Sequence, residues 1–206
     1  MRPRVPEELE VEEHDGSAWV SVQFFRVRAL RARGALPVPG ISNFLQLNVR
    51  TYVRGPDGLP GVWFFSIDAS SRLAALGVRR IYHVPAFHAR MTQEPVGEWQ
   101  EAECVRVGEP GRVFAARYRA TGETFHAKLG SLEFFLTERY VLYSGDDRQL
   151  LRARIHHRPW PLRRATVVRL ATTLLEADRL PTPTTPALAH AQGEPFDVEI
   201  WPPASA

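Results

Sequence analysis

The stretch Phe44-Leu-Gln-Leu-Asn-Val-Arg-Thr-Tyr-Val53 alternates without a break. Successive side chains of an extended chain point to opposite faces. Leu45, Leu47, Val49, Thr51 and Val53 therefore share one face, and Gln46, Asn48, Arg50 and Tyr52 share the other. The turn Gly55-Pro-Asp-Gly58 sends the chain back into residues 62–68, so the two runs predict a β-hairpin. Alternation along the return strand puts Ser66 and Asp68 on the face of Val62 and Phe64, and predicts Asp68 beside Arg50 as an ion pair. On a half-buried strand the polar face meets water. In a barrel one face meets the lumen, either this polar face or the aliphatic one; if the polar face is inside, a small barrel can hold one ligand there, fixed by a few polar groups on an apolar wall.

Outward from this hairpin, turn signals are frequent and period-two segments dominate. Residues 19–29 read as a strand in which the doublet Phe24-Phe25 flips the phase, predicting a β-bulge there. Ser70 is placed to cap a short helix that Gly77 ends, and residues 79–91 read as extended chain broken by Pro85. Residues 99–107 and 113–119 form a second antiparallel pair around Gly108-Glu-Pro-Gly111. Ser131 caps a short helix through Leu136, followed by a strand over 140–144. Leu151, Ala153 and Ile155 alternate with arginine and histidine until Pro159 and Pro161 stop the run. A strand over 165–170, a short helix over 174–177 and a last strand carrying Phe196, Val198 and Ile200 complete the chain. Many short strands with two or three short helices predict a mainly β (α+β) fold, an antiparallel barrel closed or nearly closed, in one domain over residues 1–206.

Composition removes several classes of chemistry. The 206 residues are 44% hydrophobic, enough for a sizeable core. No apolar run approaches the roughly 20 residues of a membrane helix, and no apolar export segment follows Met1, so cytoplasm and no membrane are the expectation. Cys104 is the only cysteine, which excludes an intramolecular disulfide and a thiolate metal cluster. Adjacent strand histidines such as His156 and His157 point to opposite faces and cannot chelate one ion together, so no metal is expected. No P-loop, dinucleotide fingerprint or nucleophile elbow suggests a cofactor. Lys128 is the only lysine, in a polar loop, so any Schiff base would have to form there. The net charge is only +3, but the segment 148–169 carries seven arginines and no acid. A nucleic-acid footprint can look like that; without a binding motif, the alternating spacing fits a solvated strand face and disfavours nucleic acid as a partner.

Three blocks carry a family resemblance: Leu47-Asn-Val-Arg-Thr-Tyr-Val53 with Gly61-Val-Trp-Phe-Phe-Ser-Ile-Asp-Ala69; Gly130-Ser-Leu-Glu-Phe-Phe-Leu-Thr-Glu-Arg-Tyr-Val-Leu-Tyr143; and His156-His-Arg-Pro-Trp-Pro-Leu162. Together they resemble the YqjF-like family of uncharacterised bacterial proteins, domain of unknown function 2071, over nearly the whole chain. Members of that family begin with a further segment, so the resemblance implies either a domain lacking the first N-terminal element or a start that lies upstream of Met1. Loss of such an element would expose a barrel edge and favour a homo-oligomer. A more distant resemblance is to acetoacetate decarboxylase. There the order is an aromatic-x-Glu strand, a hairpin into a Val-Asp strand, a short helix and Pro-Lys-Lys. Here it reads Phe44-Leu-Gln46, Ile67-Asp68, a helix near Leu73 to Leu76, and Pro85-Ala-Phe87. Gln46 replaces the glutamate, and Ala86 and Phe87 replace the lysines, which implies that fold without Schiff-base chemistry.

The candidate ligand-binding residues are Gln46, Asn48, Arg50, Tyr52, Ser66, Asp68, Tyr82, His88 and Arg90, the last three from the segment that would line the mouth where the family's lysines act. His88 and Asp68 are the candidate general bases, His88 because imidazole titrates near neutrality. Ser131, Glu138, Arg139, Tyr140 and Trp160 are read as structural. The leading expectation is a barrel that binds a small anionic or carbonyl-bearing organic molecule. The alternatives are a metal-independent lyase, hydratase or isomerase acting on a small keto acid without a Schiff base, and an interaction module using the arginines of 148–169.

Overall fold

The computed structural model describes the backbone of all residues except 39–40, 147–148, 182, 184–186, 189 and 193–195. After a 3-10 turn, Arg2–Arg4, the short strands β1 (Glu10–Val11), β2 (Glu13–His14) and β3 (Ser17–Ala18) lead into β4 (Val20–Ala32). Next come β5 (Phe44–Arg54), β6 (Pro60–Ala69), helix α1 (Arg72–Ile81), β7 (Ala86–Val96), β8 (Trp99–Arg106) and β9 (Val113–Phe125). Helix α2 (Leu132–Thr137) precedes β10 (Val141–Asp146), β11 (Gln149–His156) and β12 (Leu162–Thr172). Helix α3 (Leu174–Ala177), β13 (His190–Gln192), β14 (Phe196–Ile200) and β15 (Ala204–Ser205) follow.

The barrel closes through the order β5-β4-β14-β11-β10-β6 and back to β5. Its contacts are mixed rather than purely antiparallel, because β4 pairs parallel with β14 and β6 pairs parallel with β10. Strand β6 is a fork. Val62 and Trp63 pair with β10, while residues Ile67, Asp68 and Ala69 pair with β7, which starts a second sheet running β7-β8-β9-β12-β13. Each face of the β5–β6 hairpin is therefore covered by a different layer.

Two cores result. Leu47, Val49, Val53 and Phe65 pack towards Ala102, Cys104, Phe114 and Ala116 of the second sheet. Tyr52, Val62, Phe64 and Ile67 pack into the lumen with Leu142, Ala153 and the helical residues Ala74 and Ala75. This double coverage explains the Phe24-Phe25 doublet. The β4–β5 register runs unbroken from Val20↔Thr51 to Val27↔Phe44, so no bulge lies there; Phe24 faces one core and Phe25 the other. The bulge is instead on β6, where Ser66 opposes Val49 and Phe64 opposes Arg50, with Phe65 as the extra residue.

Local capping also differs in detail. Ser71, not Ser70, caps α1, its hydroxyl accepting from the Ala74 N–H at 3.2 Å. The Ser70 hydroxyl accepts from the Leu45 N–H at 2.9 Å and ties the helix entry to β5. The helix continues through Gly77 to Ile81, so the extended segment begins only at Ala86. Ser131 caps α2 by accepting from the Phe134 N–H at 3.2 Å. At the hairpin turn, the buried Tyr143 ring lies against Gly61, where a Cβ would stand 2.7 Å from the ring and 2.6 Å from the Val141 carbonyl oxygen.

Candidate functional site

Alternation fixes which side chains enter the lumen. On β5 they are Gln46, Asn48, Arg50 and Tyr52; their partners on β4 are Phe25, Gln23 and Ser21 for the first three. Asn48 is 3%, Arg50 6% and Tyr52 0% exposed, so the polar face is internal. Helix α2 closes this end. The Leu136 carbonyl accepts from Arg50 Nη2 at 2.8 Å and from the Tyr52 hydroxyl at 3.1 Å. Ser21 then donates to Tyr52 at 2.5 Å, and Gln46 Nε2 donates to Asn48 Oδ1 at 2.6 Å.

Arg50 has no carboxylate at ion-pair distance among the described residues, and its Nε has no hydrogen-bond partner. A buried guanidinium keeps its charge, so this is a cation held by one carbonyl and the Tyr52 ring, whose centroid is 5.6 Å away. Two further unpartnered buried atoms belong to the same wall: Oε1 of Gln23 and Nε1 of Trp19, the residue that precedes β4. Gln23 and Trp19 lie two residues either side of Ser21, the direct partner of Arg50. Over residues 20–26 the other edge of β4 has no ladder among the described residues, since β14 joins only from Val27. Trp19, Gln23, Phe25 and Gln46 are only half-buried there, and Trp160 approaches Phe25 at 6.0 Å between ring centroids.

The surroundings are electropositive. Burial and the Arg50 charge both lower the His157 pKa, and burial, with a smaller push from Arg50, lowers that of Arg139. Arg139, 7% exposed, is held by Glu12, with Nη1 to Oε2 at 2.5 Å, and by the Phe135 carbonyl at 2.8 Å. Glu138 accepts from the Tyr140 hydroxyl, and burial followed by that contact raises the Tyr140 pKa. The buried Trp160 donates from Nε1 to His157 Nδ1 at 3.1 Å. Ser131, Glu138, Arg139, Tyr140 and Trp160 are thus engaged within the fold itself. Glu12, the carboxylate that secures Arg139, sits 127 residues away and has no local signal in the sequence.

The β6 bulge overturns one expected neighbour. Asp68 opposes Leu47, on the face away from the lumen, and does not meet Arg50. It takes two bonds from Arg106, Nε to Oδ1 at 2.7 Å and Nη2 to Oδ2 at 3.2 Å. Ser66 lies on the same outer face and donates to Asp178 Oδ2 at 2.6 Å. Arg106 also stacks over Phe87, 3.9 Å from the ring centroid. Burial pushes the Asp68 carboxyl up and Arg106 pulls it back down; burial likewise raises Asp178. Ser66 and Asp68 therefore form a second buried centre, separated from Arg50 by the thickness of the hairpin.

The remaining candidates are dispersed. His88 is half-buried in one row with Ala69 and Gln46, across β7, β6 and β5. Arg90, two residues further along β7, is exposed. Tyr82 caps the end of α1 and donates to the Trp201 carbonyl at 3.3 Å. Lys128 is exposed, Ala86 is buried against the lumen core and Phe87 lies under Arg106. The arginines of 148–169 do not share a face. Arg148 lies outside the described residues, Arg152 and Arg154 are on β11, Arg158 is exposed in the loop after it, and Arg163, Arg164 and Arg169 are on β12 of the other sheet. Among the described residues, no three His, Cys, Asp or Glu side chains are grouped to hold a metal ion. No described helix is long and apolar enough to cross a membrane.

This architecture is an acetoacetate decarboxylase-like barrel. The crystal structure of acetoacetate decarboxylase from Legionella pneumophila matches it with a TM-score of 0.66 at 13% identity, over all of this chain and 78% of that one. At that identity the likeness is one of fold. The model of the DUF2071 family, described as "Uncharacterized conserved protein", matches residues 1–195, and the chain belongs to that family. It is 38% identical over 202 residues to the uncharacterized protein YqjF of Bacillus subtilis (strain 168), covering 98% of this chain and 83% of YqjF.

Proposed function

We propose that the barrel binds a small organic carboxylate in its lumen, with Arg50 as the anion-recognition group. The observation that carries this reading is the buried Arg50 guanidinium, 6% exposed, with an unpartnered Nε and no carboxylate beside it among the described residues. Burying an arginine without a counter-charge is costly, and a carboxylate ligand relieves that cost through charge-assisted hydrogen bonds. Asn48, Gln46 and Tyr52 supply neutral polar groups beside it. The positions that carry lysines in the resembled family are Ala86 and Phe87, so the ligand is held without covalent attachment.

The test is a thermal-shift panel of small carboxylates, amines and neutral polyols, with native mass spectrometry of the protein as isolated. Saturable stabilisation by carboxylates alone supports the reading, since a ligand that prefers the folded state raises the midpoint with concentration. Stabilisation by amines or polyols and not by carboxylates overturns it.

A second reading, a lyase, hydratase or isomerase acting on a keto acid, rests on His88, which shares a row with Gln46. Asp68 does not support it, being held by Arg106 on the other face. Turnover of a keto-acid panel followed by NMR, lost in His88→Asn, would favour that reading over simple binding.

A further inference from the structure

We infer that the lumen ligand is an aromatic carboxylate carrying a hydrogen-bond donor at the end opposite its carboxylate. The inference rests on the carboxylate reading above and deepens it. Three unpartnered buried atoms lie along one wall: Nε1 of Trp19, Nε of Arg50 and Oε1 of Gln23. The first two are N–H donors, which carboxylate oxygens accept. The third is an acceptor and needs a donor.

Their rows on the strands give the spacing of the backbone positions that carry them. Arg50 is opposite Ser21, and Gln23 is one same-face step further along β4. That step is about 6.6 Å, close to the length of a para-substituted benzene ring. The wall is aromatic on either side of it. Phe135 lies 4.9 Å from Tyr52 by ring centroids, beside Arg50, and Phe25 and Trp160 stand 6.0 Å apart beyond Gln23. A flat ring gains stacking or edge contacts from such a wall that a short aliphatic acid cannot make. A short keto acid that reaches Arg50 leaves the Gln23 carbonyl without a donor.

The experiment titrates wild-type protein with 4-hydroxybenzoate, benzoate, cyclohexanecarboxylate and pyruvate, read by calorimetry and by tryptophan fluorescence. The order of affinity expected is 4-hydroxybenzoate, then benzoate, then the two non-aromatic acids, with roughly tenfold between 4-hydroxybenzoate and pyruvate. Gln23→Leu should close the gap between 4-hydroxybenzoate and benzoate while leaving benzoate binding in place. Trp19→Phe should weaken both aromatic acids. If pyruvate or cyclohexanecarboxylate binds as tightly as the aromatic acids, the ligand class is wrong and the carboxylate reading stands. If the hydroxyl preference survives in Gln23→Leu, the distal contact is wrong. If none of the four acids binds the wild-type protein, both fall.

Discussion

Arg106 grips Asp68 with two hydrogen bonds, at 2.7 and 3.2 Å, in a core where their side chains are 3% and 0% exposed. The pair joins β8 to β6 and turns Asp68 away from the lumen. Asp68→Asn leaves a buried guanidinium whose remaining ion-pair partner among the described residues is Asp178, 3.9 Å away. The expected cost is about 3–5 kcal/mol by urea denaturation, with carboxylate binding in the lumen unchanged. Replacing both partners together, Asp68→Leu with Arg106→Met, should cost much less than either single change. A stable Asp68→Asn protein that has lost ligand binding would show that the two faces of the hairpin do not act separately.

The Arg139 anchor behaves the same way at the other end. Glu12 bonds both Arg139 and Arg54, each at 2.5 Å. Glu12→Gln should therefore destabilise by about 3 kcal/mol. Glu138→Gln should cost closer to 1 kcal/mol, because its partner is the neutral Tyr140 hydroxyl. Equal losses from the two changes would contradict the assignment of Glu12 as the buried counter-charge.

Stability should fall in mild acid because of His157. Burial, helped by the Arg50 charge, lowers its pKa in the folded protein. The unfolded chain then binds the proton more readily, so this contribution is complete above about pH 6.5 and is lost as pH falls below that value. Asp178 works with the opposite sign: its raised pKa favours the folded state at low pH and withdraws that contribution as pH rises above the ordinary carboxyl value of 3.8. Denaturation of wild type and His157→Phe between pH 5 and 8 separates the two. The variant should lose the decline below pH 6.5 while being less stable throughout, since the Trp160 hydrogen bond goes with the imidazole. An unchanged slope in the variant would assign the decline elsewhere.

Gly61 should not accept a methyl group. A Cβ there meets the Tyr143 ring and the Val141 carbonyl oxygen below 3 Å, and the obstructing atoms include backbone. Gly61→Ala is expected to cost about 1–3 kcal/mol from overpacking, measured as a shift in denaturation midpoint. A neutral substitution would mean that β10 is free to move away from β6.

The hairpin was legible because its two signals are local: unbroken alternation over 44–53 and a four-residue turn. The polar face of β5 was legible as a set for the same reason, but alternation alone does not say which face of a barrel strand turns inward. The position of Asp68 was not, because a one-residue bulge at Phe65 reverses every later side chain, and an apolar run such as Val62-Trp63-Phe64-Phe65 shows no phase to break. The same loss of contrast misplaced the bulge at Phe24-Phe25, where a strand buried on both faces looks like a strand that changes face. Parallel pairing of β4 with β14 and the Glu12–Arg139 contact join residues far apart in sequence, and no local pattern specifies them. Trp19 and Gln23 were missed for a related reason: an indole and a single amide on a strand carry no signal until their unpartnered atoms are seen beside Arg50.

The most direct test of the lumen site is calorimetric titration of wild-type and Arg50→Met protein with benzoate and pyruvate, run beside their thermal denaturation. The account predicts one saturable site in the wild type and no binding heat in Arg50→Met, with a denaturation midpoint equal to or above that of the unliganded wild type, because a buried charge is replaced by an apolar side chain of similar length. Arg50→Met protein that binds either acid as the wild type does would contradict it.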